Sequence, residues 1–288
     1  MNDEGYSCSL NNFYEEKARR EICEDPRNRD GAVQTLRQWV DSQPHIKCIT
    51  DTEYLLRFLR VAKFSQLVAQ EYLTNFLKQM GKKKEWMADI DTADPKIQAF
   101  LSTGYMTILP KRDKEGRPIL LMRLAAFDPH SKAYDKSTMV RTMVAVLTYL
   151  LQDESVQVSG MVYFLDMTGY ERKHEKFLTL SDLRQLYEIW QKAFPARYKG
   201  FHYYNHGIIF ENLYAIIKTF VSKKFRERIF LHGNNMERVY SVVPPELLPE
   251  EYLSDDHQGP SAGTLDVLIG NKYQKEFAGH ESSRKSPA

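Results

Sequence analysis

Six cations flank one apolar stretch of this chain and a seventh, Lys218, lies within it. From Ile208 to Val221 the sequence IIFENLYAIIKTFV carries only Glu211 and Lys218 as charges. Arg197 and Lys199 precede it, Lys223, Lys224, Arg226 and Arg228 follow it, and only Glu211 and Glu227 oppose them. Apolar side chains can enter the acyl boundary of a membrane while Lys and Arg meet its anionic head groups, so this composition suits a lipid surface. The same pattern fits a core helix beside a solvated basic loop, and spacing alone does not separate the two. Catalytic chemistry is harder to find. The sequence contains no GxGxxG after a strand, no P-loop, no GxSxG elbow and no HExxH. His202 and His206 are four apart, but a strand followed by Gly207 does not place them on one helical face. Asp166 ends an apolar run where α/β enzymes often carry an acid. With no nucleophile or base beside it, it fits a turn through Met167 and Gly169. No catalytic residue, metal site or cofactor is expected.

The elements that must hold these residues follow from periodicity. At about 100° per residue, Glu211, Asn212, Lys218 and Thr219 form one polar stripe. Ile209, Phe210, Leu213, Tyr214, Ile216, Ile217, Phe220 and Val221 fill the arc opposite. Up to residue 92 every periodic segment predicts helix: 31–42 after Asp30 as cap, a second after Asp51, and a third after Ser65 that places Val68 inward. In the second, Leu55, Leu56, Phe58 and Leu59 face inward, with Arg57 and Arg60 outward. Asp94-Pro95 opens another helix. From Thr107 strands alternate with helices: strands at 119–124, 160–166, 200–204 and 228–231, helices at 136–152 and 181–194. This order predicts an α/β layer with a largely parallel sheet. The expected division is a helical module at 1–92, an α/β domain at 93–265 and a loose tail at 266–288.

Composition narrows the class. Of 288 residues, 42% are hydrophobic and 27% charged, as in an ordinary soluble protein. A net charge of +2 argues against a general nucleic-acid binder. No apolar run approaches a membrane span of ~18 residues, and the N-terminus lacks the apolar core of a secretory leader. Cys8, Cys23 and Cys48 form no framework and are expected as free thiols in a reducing cytosol.

Particular residues also carry a family resemblance. Asp51, Leu55, Leu56, Arg57, Phe58, Leu59, Arg60, Lys63 and Phe64 resemble the helical N-terminal signature of the CRAL-TRIO lipid-transfer family. Phe194 to Gly200, Asn205, Ile209-Phe210, His232-Gly233, Asp166 to Tyr170 and Leu248 to Tyr252 are similar to its lipid-binding domain. The resemblance extends to the tocopherol- and retinaldehyde-binding carriers and the clavesins.

The resemblance implies a cage over a mixed sheet that holds one hydrophobic molecule, tocopherol-, retinoid- or otherwise lipid-like, closed by a mobile gate helix. It places the gate on the apolar stretch and a phosphoinositide-binding cluster on Arg197, Lys199, Lys224 and Arg228. It places the pocket lining on Val140, Met143, Leu147, Met161, Leu165, Tyr170, Leu186, Ile189, Trp190 and Phe194. It further implies a monomer that is cytoplasmic, reversibly membrane-associated and not an enzyme. Two features depart from the family's pattern. Met143 and Leu147 stand where tocopherol carriers place small hydroxyl side chains, leaving Thr142, Thr148, Tyr163 and Tyr170 as polar anchors. Leu253 to Gln258 separates Leu248 to Tyr252 from the following Gly259.

Overall fold

The computed structural model of the chain describes residues 6–269. Six helices come first: α1 (Asn12–Ile22), α2 (Pro26–Asp41), α3 (Thr52–Val61), α4 (Gln66–Lys82), α5 (Lys84–Met87) and α6 (Pro95–Leu101). The α/β part follows as β1 (Met106–Ile108), β2 (Ile119–Arg123), α7 (Lys136–Leu150), α8 (Glu154–Ser159), β3 (Met161–Asp166), α9 (Arg172–Glu175) and α10 (Leu180–Lys192). It continues with β4 (Tyr198–Tyr204), α11 (Ile208–Ile217), α12 (Lys223–Arg226), β5 (Ile229–Leu231), α13 (Met236–Tyr240) and α14 (Leu265–Ile269).

The strands form one sheet in the order β1-β2-β3-β4-β5, with β1 antiparallel to β2 and every other pair parallel. This is the mixed, largely parallel α/β architecture expected, preceded by a helical region. The continuous apolar character of β2 and β3 has a direct cause, because alternate side chains enter different cores. Leu120, Met122, Met161, Tyr163 and Leu165 face the core formed with α7, α10 and α11. Ile119, Leu121 and Phe164 face Val239, Val243, Leu247, Leu248 and Leu268 on the other side.

Capping sets the helix starts, and it corrects one expectation. Asp25, with Pro26 after it, caps α2 through the Arg27 amide, so Asp30 lies inside that helix and does not start it. Asp51 and Asp94 cap α3 and α6 as their spacing predicts. Ser65 stands at the start of α4 without a side-chain capping bond, and Val68 there points largely outward.

A second correction concerns Arg60, which is 0% exposed and does not face outward. Its Nε and Nη2 donate to Glu24, both at 2.9 Å, and its Nη1 donates to Glu154 at 2.9 Å and Gln157 at 2.8 Å. α3 is covered on this side by the α1–α2 connection and α8, so a charged position on the helical wheel becomes a buried joint between the helical region and the α/β domain. Trp86 and Met87 lie before the expected boundary at 92 but are buried in the same core as α7 and the sheet. Leu268 of α14 is likewise buried, within the stretch expected as tail; residues 270–288 lie outside the described residues.

Candidate ligand cavity and basic face

Between the sheet and helices α7, α10 and α11 lies a cavity of about 130 Å³. Its floor is Met106, Met122, Tyr163, Leu165, Phe201 and Tyr203. α7 contributes Met139, Met143 and Leu147, α10 contributes Leu183, Leu186, Tyr187 and Trp190, and α11 contributes Phe210, Leu213 and Ile217. Phe127, Tyr170, Phe177, Tyr198 and Phe225 also line it, and Tyr105, His174 and Glu175 are the lining's other titratable groups. An enclosure of this chemistry suits apolar molecules, since few polar groups compete for water.

Of the expected lining, Met143, Leu147, Leu165, Tyr170, Leu186 and Trp190 reach the cavity. Val140, Met161, Ile189 and Phe194 are buried in the surrounding core and do not line it. They share helix or strand faces with lining residues, but neighbouring side chains cover them. Among the alternative anchors, Thr142 donates to the Thr138 carbonyl at 2.8 Å and Thr148 is exposed, whereas Tyr163 and Tyr170 line the wall. Period-2 reasoning from Leu165 reaches Tyr163 on β3. Tyr198 and Phe225 had no such signal, because they come from a strand start and a one-turn helix.

The apolar arc of α11 divides in two. Phe210, Leu213 and Ile217 point inward, with Val221 buried just beyond the helix, and Tyr203 stacks on Phe210 at 4.5 Å. Ile208 (67% exposed) and Ile216 (46% exposed) point outward, while Ile209, Tyr214 and Phe220 are half-buried. Few polar bonds fix the ends of this helix. Gly207 occupies the N-cap without a side-chain bond, and the Gly233 amide donates to His206 Nε2 at 3.0 Å. Arg226 donates to the Lys218 and Val221 carbonyls at 2.9 and 2.8 Å.

Of the four expected headgroup residues, Arg197 precedes β4, Lys199 lies on it, Lys224 lies on α12 and Arg228 precedes β5, and the structure brings them into mutual electrostatic reach. Burial lowers the Lys224 ammonium below its ordinary range, and the charges of Arg228, Lys63 and Arg197 add to this. Burial likewise lowers Arg197, which Arg228 depresses further while Glu21 opposes. Not all of them are open. Arg197 donates to the Val158 carbonyl, and Arg228 donates to the Tyr198 carbonyl at 2.5 Å. Glu21 of α1 accepts from Lys199 at 2.7 Å and Arg197 at 3.2 Å, and pairs with Lys17 at 3.0 Å. Burial alone would raise the Glu21 carboxyl, but hydrogen bonds from Lys199 and Lys17 outweigh it and hold the group at about 2. Sequence spacing offered no sign of Glu21, nearly 180 positions from Lys199.

The remaining chemical candidates are occupied structurally. Asp166 accepts from the Thr168 amide and hydroxyl at 2.9 and 2.6 Å and from the Tyr252 hydroxyl at 2.7 Å. His202 Nδ1 lies 3.0 Å from His232 Nε2, not against His206. Burial, then His232 and Arg117, lower His202 to about 4. No group of three metal-ligating side chains occurs among the described residues.

Residues 102–252 match the CRAL/TRIO domain family. The chain belongs to that family. Residues 25–97, from α2 to the start of α6, match the Pinta-like UBA domain. Clavesin-1 of Xenopus laevis is 33% identical over 265 residues, spanning 91% of this chain and 78% of that protein. Clavesin-2 of Homo sapiens is 33% identical over 238 residues, spanning 82% and 72%. The crystal structure of Sfh5 shares the fold, with a TM-score of 0.50 over 73% of each chain at 12% identity. Membership of the CRAL/TRIO family implies lipid binding and transfer. No helix among the described residues is long and apolar enough to cross a membrane.

Proposed function

We propose that this CRAL/TRIO protein encloses one hydrophobic molecule, tocopherol-, retinoid- or otherwise lipid-like, and transfers it between membranes as a monomer. In this reading it is cytoplasmic and docks reversibly through a phosphoinositide site at Arg197, Lys199, Lys224 and Arg228. The observation that carries the reading is the two-faced α11, with Phe210, Leu213 and Ile217 on the cavity and Ile208 and Ile216 exposed.

The mechanism is physical. Each Å² of apolar ligand surface removed from water contributes about 25 cal/mol, so release into water is slow. On a membrane, α11 exchanges cavity contacts for acyl chains, and that exchange conserves apolar burial. Cations near an anionic surface contribute ~1 kcal/mol each. Arg197 and Arg228 supply the planar fork that grips phosphate, and Lys199 and Lys224 supply point charge.

Native mass spectrometry of the purified protein, with extraction and fragmentation of its ligand, tests the reading. The expected result is one lipid, lost at unchanged mass to phosphoinositide vesicles. A ligand retained on vesicles indicates an adaptor that binds a protein partner instead, and a ligand altered in mass indicates an enzyme. The two faces of α11 separate further. Ile217→Asp buries an unpaired charge at the cavity and is expected to abolish ligand retention. Ile216→Asp is expected to retain ligand and slow transfer. Equal behaviour of the two variants would remove the gate from the account.

A further inference from the structure

Two hydrogen bonds tie the root of α11 to the turn that follows β5. The Asn205 amide donates to the Gly233 carbonyl at 2.5 Å, and the Gly233 amide donates back to His206 Nε2 at 3.0 Å. Gly207 then starts α11 without a side-chain capping bond. The second tie constrains the imidazole. Because Nε2 accepts, it carries no proton, and the one proton of the neutral ring sits on Nδ1. Nδ1 is buried, has no hydrogen bond among the described residues, and lies 3.4 Å from Glu211 Oε1 on the first turn of α11.

A second proton reverses both relations. Nε2–H then faces the Gly233 N–H, donor against donor, and the tie is lost. At the same time the charged ring is drawn to the Glu211 carboxylate, within α11 itself. The ring's other neighbours are Phe210, at 6.2 Å between centroids, and His232 of the β5 turn. His232 meets His202 of β4 at 3.0 Å and the charge of Arg238 on α13. Burial lowers both histidines, His202 to about 4, so both favour the neutral form.

We infer that His206 is a proton-released latch on α11: neutral, it fastens the helix to the turn after β5, and protonated, it frees the helix at Gly207. An anionic membrane that attracts the basic face also supplies the proton, since a surface potential of about −30 mV holds the adjacent water about half a pH unit more acid than the bulk. The inference deepens the carrier reading and rests on it.

The test is delivery from protein loaded with NBD-labelled tocopherol or with retinol, both fluorescent, between about pH 7.5 and pH 5.5. The acceptors are vesicles of phosphatidylcholine and phosphatidylglycerol, whose charge is constant over this range. Wild type is expected to deliver about five-fold faster at the acid end, the worth of one hydrogen bond. His206→Gln offers an amide oxygen to Gly233 and takes no charge. It is expected to match wild type at neutral pH and to lose the acceleration. Glu211→Gln is expected to need more acid for the same acceleration. Nitrogen NMR of the imidazole at neutral pH reads the ring without vesicles, and the His206 proton is expected on Nδ1. A proton on Nε2, wild-type delivery that is flat with pH, or acceleration that survives His206→Gln overturns the latch. Should His206→Gln melt well below wild type, the Glu211→Gln profile decides, and an unchanged acid dependence there overturns it. If neither cargo is delivered at any pH, the carrier reading falls and the latch with it.

Discussion

Glu21 and Glu24 stand three residues apart at the end of α1, and they enter two different charge clusters. Glu24 faces inward, accepting from Arg60 and from Arg29 at 2.7 Å. Arg60 continues to Glu154, which also accepts from Tyr6 and Ser9. Charges there are balanced, donors are matched and water is excluded. Glu21 lies 22% exposed among Lys17, Arg197 and Lys199, with Lys224 and Arg228 nearby. Glu115 also pairs with Lys17 at 2.8 Å, so two carboxylates there meet a larger number of cations. A closed, matched set of charges joins parts of the fold, whereas a partly exposed excess of one sign leaves donors for an outside anion.

Acid attacks both clusters and is expected to have the largest effect. Burial works against ionisation of Glu21 and Glu154, but Lys199 and Lys17 for the first, and Arg60 and Tyr6 for the second, bring each from 4.5 to about 2. Burial lowers His202 from 6.5 to about 4. Every folded value lies below the unfolded one, so these groups contribute stability at high pH and lose it as pH falls. His202 acts between about 6.5 and 4, and the glutamates between about 4.5 and 2. The urea midpoint is therefore expected to decline in two stages below pH 6.5. A midpoint that stays flat to pH 3 would contradict the electrostatics described.

Arg60→Ala comes next. It leaves Glu24 and Glu154 buried without their main partner, and a loss of about 3–5 kcal/mol in denaturant unfolding is expected. Headgroup preference of the folded fraction should not change. The reverse outcome, a stable protein with altered headgroup preference, would erase the distinction between the clusters.

Arg197→Ala with Arg228→Ala should do the opposite. Two cations at ~1 kcal/mol each correspond to about thirty-fold weaker binding to phosphoinositide vesicles, with little change on neutral ones. Wild-type binding should also weaken with salt. Equal loss on both vesicle types points to damage of the fold, because Arg197 and Arg228 also bond to backbone carbonyls.

The smallest effect is expected at Glu21. Glu21→Gln removes the internal anion from Lys199 and Arg197, and about five-fold tighter binding to anionic vesicles is expected from ~1 kcal/mol of freed attraction. Unchanged or weaker binding would place Glu21 with Glu24 as a structural acid.

Whereas the three-residue β1 was too short to show a period, the sequence made four of the five strands and the apolar side of α11 legible because periodicity reports burial directly. It placed strand β3, helix α7 and the inward Phe210, Leu213 and Ile217 without reference to any partner. Contacts between distant segments were not legible. Arg60 occupies a wheel position that faces water on an isolated helix, and only the packing of the α1–α2 connection and α8 buries it. Glu21 could not be assigned to the basic face for the same reason. Val140, Met161, Ile189 and Phe194 mark a finer limit, since a shared face distinguishes inside from outside but not a cavity wall from the core behind it.

The most direct measurement is the rate at which preloaded protein delivers a fluorescent lipid to acceptor vesicles, with and without phosphoinositide. Wild type is expected to deliver markedly faster when phosphoinositide is present, and Arg197→Ala with Arg228→Ala should lose that acceleration while keeping its slow basal rate. Acceleration that persists in the double variant, or delivery indifferent to phosphoinositide in wild type, would contradict the account that the basic face guides release from the cavity.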